Sequence, residues 1–97
     1  MMVDRIPCCV PYCRRTFKND EGCKEVICGK HWRLASPVLR RRKIKLFRMY
    51  TKRFGENGFW AYPAGSAKRI EAVRLDRLCG LIWERCKTQA IERAMGI

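Results

Sequence analysis

Residues 8–32 read CCVPYCRRTFKNDEGCKEVICGKHW and hold five of the chain's seven cysteines together with its single histidine. An odd number of cysteines cannot all pair internally, and their crowding leaves three uses: disulfides, buried filler, or metal ligands. Ninety-seven residues make one small domain with a limited core, so a staple such as a metal site would help it hold its shape. The N-terminal stretch MMVDRIPCC puts Asp4 and Arg5 ahead of any apolar run, which predicts no secretory leader. No uncharged stretch approaches the roughly 20 apolar residues that span a bilayer. The expected setting is a reducing cytoplasm without membrane association, where clustered Cys and His serve metals rather than disulfides.

Zinc takes four tetrahedral ligands, usually thiolates and imidazole nitrogens, and closed sites of this kind are structural. Cys28-Gly29-Lys30-His31 has the spacing that puts two ligands on one face of a first helical turn. Cys13 with either Cys8 or Cys9 supplies a tight knuckle for the other two. Between the pairs, RRTFKNDEGCKEVI over residues 14–27 reads as a hairpin. Thr16 and Phe17 lie in one arm, Val26 and Ile27 in the other, and Asn19-Asp20-Glu21-Gly22 forms the turn. Cys23 falls mid-hairpin and reads as a bystander.

The order of knuckle, hairpin and C-x-x-H at a helix start resembles the treble-clef zinc finger. More narrowly, Cys8-Cys9-Val10-Pro11-Tyr12-Cys13-Arg14-Arg15 followed by Gly22 and Ile27-Cys28-Gly29-Lys30-His31-Trp32 is similar to a zinc knuckle of small phage and prophage proteins. The same knuckle opens some HNH-type endonucleases. Its pattern, C-x-V-x-x-C then C-x-x-H-[WY], implies Cys8 rather than Cys9 as first ligand, giving a structural zinc on Cys8, Cys13, Cys28 and His31. The resemblance spans residues 8–33. It departs at Tyr12, where the family usually has glycine, and in the extra residues around Cys23.

Nuclease chemistry does not follow. His31 is the only histidine and is committed to the metal, so no general base remains, and no acidic cluster stands ready to hold magnesium. Cys9 and Cys23 sit among arginines, which lower a thiol's pKa, but a nucleophilic cysteine lacks an imidazole partner. The chain is expected not to be an enzyme.

Beyond the finger, Ser36-Pro37 signals an N-cap with proline at the first helical position. The helix it starts, over residues 37–54, carries Leu39, Leu46, Phe47, Tyr50 and Phe54 at helical spacing, and Gly55 ends it. A connector, GENGFWAYPAGS over residues 55–66, contains an Asn57-Gly58 turn and Pro63. Ser66 caps a last helix over residues 67–95. The apolar stripe of that helix is Leu75, Leu78, Cys79, Ile82, Cys86 and Ala90, widened by Leu81 and Trp83. Cys79 and Cys86 read there as core filler. The resulting fold class is a small, α-rich α+β chain: a treble-clef finger with a short β-hairpin over residues 1–35, then a helical extension over 36–97 packed on it as one structural unit.

Charge points to the partner. The formal net charge is +13, and residues 1–55 hold 15 Lys and Arg against 4 acids, whereas residues 56–97 hold 7 against 5. Residues 40–53 alone carry eight cations and no acid, although like charges four apart on a helix repel. Phosphates are the common reason for such a stripe. The expected contacts are Arg14, Arg15, Lys30 and Arg33 on the finger, and Arg40, Arg41, Lys45, Arg48 and Lys52 on the helix, with DNA or RNA left open. Phe59, Trp60 and Tyr62 either stack on unpaired bases or plug the groove between the helices, and the plug is the reading favoured here, because a small core needs its aromatics.

The rival reading is a protein effector that grips a host nucleic-acid machine, such as RNA polymerase or a defence complex, by that machine's acidic or DNA-mimicking surfaces. A second copy of the chain can also pair with the long helix through Leu78, Leu81 and Ile82. If phage-encoded, the protein would work in the host cytoplasm.

Overall fold

The computed structural model describes residues 5–19 and 22–96. Among these the chain is a small, mostly helical α+β protein. Two strands, β1 (Arg5–Pro7) and β2 (Thr16–Lys18), precede three helices: α1 (Gly29–Trp32), α2 (Pro37–Phe54) and α3 (Ala67–Ala94). A 3-10 turn over Gly58–Ala61 links the last two. The described residues up to Ser36 group with those from Cys86 onward, and residues 37–85 form a second compact unit.

In the first unit β1 and β2 run antiparallel, with Arg5 opposite Lys18, Ile6 opposite Phe17 and Pro7 opposite Thr16. The Arg5 guanidinium fastens the pair by donating to Thr16 Oγ1 at 2.9 Å and to the Thr16 carbonyl at 3.0 Å. This corrects the expected hairpin. The arm at Thr16 and Phe17 pairs backwards onto residues 5–7, not forwards onto Val26 and Ile27. Val26 instead bridges to Cys8, and the Cys9 N–H donates to the Val26 carbonyl at 2.8 Å. The segment carrying Cys8 therefore lies between the two arms, because that is where its thiol can reach Cys28. Asn19 closes the far end by accepting from the Cys23 N–H at 2.7 Å and donating to the Cys23 carbonyl at 3.0 Å. The expected turn residues Asp20 and Glu21 lie outside the described residues.

A small core of Cys8, Val10 and Cys28, with Cys13, Ile27 and Ile91 packed on it, fills this unit. Its other anchor is the last stretch of α3. Lys87 Nζ pairs with Glu25 Oε2 at 2.6 Å, Gln89 Oε1 accepts from the Ser36 N–H, and Arg93 donates to the Leu34 carbonyl at 2.7 Å. Cys86 and Ala90 are fully buried, as filler should be.

In the second unit α2 begins at Pro37 and stops where Gly55 takes φ 75°, its N–H bonded to the Thr51 carbonyl at 2.9 Å. A left-handed residue after the last turn is the ordinary way to end a helix. Ser66 starts α3 as read from the sequence: its Oγ accepts from the Arg69 N–H at 3.2 Å. Phe54 is the buried hub, touched by the tilted Tyr50 ring at 5.4 Å and edge-on by Tyr62 at 6.1 Å. Tyr50 also accepts the Phe59 N–H at 3.0 Å, tying the 3-10 turn to α2. A surface hollow between α2 and α3 is lined by Phe47, Tyr50, Asp76 and Cys79. Ala72, Cys79 and Ile82 are buried on α3, but Leu78 and Leu81 are 51% and 62% exposed. The buried line is narrower than the expected stripe: Ala72, Cys79, Ile82, Cys86 and Ala90 form it, and the two leucines fall beside it.

Candidate metal centre and basic surfaces

The finger sequence folds so that four donors meet. Val10-Pro11-Tyr12-Cys13 is a β-turn in which the Cys13 N–H donates to the Val10 carbonyl at 3.2 Å. Proline presets the second position of such a turn, and the third must then take positive φ when the turn is type II. Tyr12 does so, at φ 67°. The turn brings Cys13 back beside Cys8. Cys28 stands at the entry to α1 in extended conformation, and its carbonyl takes the Trp32 N–H at 2.9 Å, so His31 projects from the same first turn.

The ligand atoms of Cys8, Cys13, Cys28 and His31 all lie within 4.8 Å of one another and could hold a metal ion. His31 turns Nδ1 inward, 3.7 Å from Cys8 Sγ and 3.2 Å from Cys28 Sγ. A tetrahedral zinc with bonds of about 2.0–2.3 Å sets its ligands roughly 3.5–3.8 Å apart, so the donors stand near working separations. Cys8 is thus the member of the Cys8–Cys9 pair that the structure gathers into the cluster, and Cys23 stays outside it. None of the seven cysteines is joined in a disulfide.

Burial pushes the Cys8 thiol up in pKa, against the N–H groups of Cys28 and Val10. Burial acts upward on Cys28 too. There the N–H of His31, the Cys8 and Cys13 thiols and the charge of Arg15 outweigh it, and the Cys28 thiol is lowered. The Cys28 N–H also donates to Cys8 Sγ at 3.4 Å, the kind of contact that supports a thiolate. Cys9 follows Cys8 rather than Cys28. Burial, then Cys8 and Glu25, raise its pKa against the opposing charge of Lys87, and the neighbouring arginines are not what sets it.

Of the predicted phosphate contacts on the finger, Arg14, Arg15 and Lys30 line one cleft with Tyr12 and His31, whereas Arg33 is exposed elsewhere on the unit. On α2, Arg41, Lys45 and Arg48 surround a shallow hollow with Ile44, and Lys52 continues on the same helix, exposed. Arg40 is half-buried and engaged in contacts of its own. Arg53, in the same basic run, is paired with Glu71.

The aromatic connector divides. Tyr62 packs on Phe54 as the plug reading expects, and Phe59 is half-buried. Trp60 is 74% exposed, with Phe59 at 4.8 Å and the Arg69 guanidinium 4.9 Å from its ring centre. Sequence reading gave Tyr12 no role, and the signal was available: proline before it and cysteine after it mark a turn position whose side chain projects outward.

No family model, no curated protein and no solved structure matches this chain. Among the described residues no helix is long and apolar enough to cross a membrane.

Proposed function

We propose that the chain is a non-catalytic zinc-finger protein that binds nucleic acid, with phosphate contacts as the main source of affinity. The observation that carries this reading is the α2 hollow, where Arg41, Lys45 and Arg48 converge and no acid lines the surface. Holding like charges together on one helix face is unfavourable unless an anion joins them. Arg14, Arg15 and Lys30 gather beside the metal-ligand cluster in the same way.

Zinc is the metal this donor set favours, because three thiolates and one imidazole match its preference for four sulfur and nitrogen ligands. The order of knuckle, strands and C-x-x-H at a helix start supports a treble-clef finger like those of small phage and prophage proteins. The sole histidine belongs to the cluster, which leaves no imidazole for acid–base work.

The test is fluorescence anisotropy with labelled duplex DNA, single-stranded DNA and RNA across a salt series. If Arg40, Arg41, Lys45, Arg48 and Lys52 all meet duplex phosphates, the log–log slope is about −4.5, at roughly −0.9 per contact. The double variant Arg41→Gln, Lys45→Gln flattens it by about two, equally on unrelated sequences, since phosphate contacts carry no base identity.

A second reading rests on the groove of about 260 Å³ whose lining includes Leu78, Leu81, Arg42 and Arg85. That surface suits an acidic protein segment with apolar anchors. If the folded, zinc-loaded protein binds no nucleic acid at low salt, the basic helix passes to such a partner. A pull-down that survives nuclease treatment would then identify it.

A further inference from the structure

Tyr12 is a side chain that its turn does not call for. Its backbone lies at φ 67°, a conformation that L side chains adopt at a penalty and that glycine takes freely. Its side chain is 94% exposed. No ring or cation contact occupies it among the described residues, unlike Trp60, over which the Arg69 guanidinium already sits. A tyrosine held here contributes nothing to the core and strains the knuckle, so its ring has to be explained by what lies beyond the chain.

Its surroundings indicate what that is. Tyr12 borders a cleft of about 440 Å³ whose lining includes Val10, Arg14, Arg15 and Lys30 and no acidic residue. This volume is within the range of roughly 300–1,000 Å³ typical of small-molecule sites, enough for a nucleotide. Three cations suit phosphate, and an outward aromatic ring suits the flat face of a base. In a duplex both faces of each base are already stacked, so a ring at the surface can gain a stacking partner only where the base is unpaired.

Resting on the nucleic-acid reading above, we propose that the finger is a single-strand site: Tyr12 stacks on an unpaired base while Arg14, Arg15 and Lys30 hold the adjoining phosphates. The knuckle fixes the backbone from which the ring projects, because Cys13 on one side belongs to the metal-ligand cluster and Val10 on the other is buried.

The decisive variant is Tyr12→Gly, which deletes the ring while suiting the backbone, with Tyr12→Phe as the conservative partner. Both are checked first for one zinc per chain. Anisotropy is then measured with oligo-dT, oligo-U, an abasic oligonucleotide of equal charge, and duplex DNA. Expected for Tyr12→Gly is about a tenfold loss on whichever single strand the wild type binds, the effect of removing one stacked base. Duplex and abasic binding stay within about twofold, and Tyr12→Phe keeps the wild-type affinity. Unchanged single-strand binding by Tyr12→Gly overturns the inference and leaves the phosphate-binding proposal standing. An equal loss on duplex and single strand, or a Tyr12→Phe variant as weak as Tyr12→Gly, also overturns it. Wild-type protein that binds none of the probes at low salt removes the broader reading, and this inference with it.

Discussion

Two turns in this protein demand the same backbone and fill it differently. In the finger, Tyr12 sits at φ 67°; in the connector, Gly58 sits at φ 58°. A Cβ built on Gly58 falls onto the Tyr50 hydroxyl, so glycine is required there by space as well as by backbone. Tyr12 projects into open solvent, and only the backbone objects. The difference reflects how each unit is held. Residues 37–85 rely on close packing around Phe54, which tolerates no extra atom at Gly58. In the finger, ligands drawn to one point set the chain path, and the turn between Cys8 and Cys13 can carry a residue chosen for other reasons.

The largest effect expected to separate the two is removal of the proposed metal from the Cys8, Cys13, Cys28 and His31 cluster. Structural zinc contributes about 10 kcal/mol or more of folding free energy in small fingers, more than the core of Cys8, Val10 and Cys28 can replace. Chelation, or Cys28→Ser, is expected to collapse the amide resonances of residues 5–35 in a proton–nitrogen NMR spectrum while those of Tyr50, Gly58 and Phe59 stay dispersed. Loss of both sets together would show that the metal holds the whole chain and would break the contrast. Purified, folded protein free of metal would remove its basis.

Gly58→Ala comes next and acts on the packed unit alone. The left-handed penalty for alanine is about 1–2 kcal/mol, and displacing the Tyr50 hydroxyl forfeits its bond from the Phe59 N–H, a further 1 kcal/mol or so. The sum, about 2–3 kcal/mol, lowers the melting temperature by roughly 10–20 °C for a chain of this size, with zinc content unchanged. A variant as stable as the wild type would mean that Tyr50 moves aside freely and that the turn is not fixed by packing.

How far these features were legible in the sequence depends on how local their causes are. The limits of α2 follow from Pro37 and Gly55, and the start of α3 from Ser66, because caps and breakers act within a turn of themselves. Spacing alone made three of the four clustered ligands legible, and the resemblance supplied the fourth, Cys8. Cys8 and Cys9 point to opposite sides of an extended segment, and choosing between them needs to know which side faces Cys28. Strand pairing was misread because Arg5-Ile6-Pro7 is too short and too irregular to announce a strand, and its partner is chosen across the knuckle. The exposure of Leu78 and Leu81 was not legible either. Helical period shows that apolar residues share a face but not how much of that face is covered.

The smallest effect is the most informative, because its sign is opposite. Tyr12→Gly removes a left-handed penalty of about 1–2 kcal/mol and returns part of it through the greater freedom of glycine in the unfolded chain, about 0.5–1 kcal/mol. The net is a stabilisation of about 0.5–1 kcal/mol, or a rise in melting temperature of a few degrees, roughly 4 °C, for zinc-saturated protein. Tyr12→Asn should fall between, since asparagine enters the left-handed region more readily than other L residues. Measured destabilisation by Tyr12→Gly would mean that the ring packs on the knuckle in solution, and the contrast with Gly58 would fail. A stabilised Tyr12→Gly that also loses its grip on single strands would put both results on one residue. The side chain that best suits the turn is the one that cannot stack, and the strain at Tyr12 is then the cost of presenting a ring beside three phosphate-binding cations.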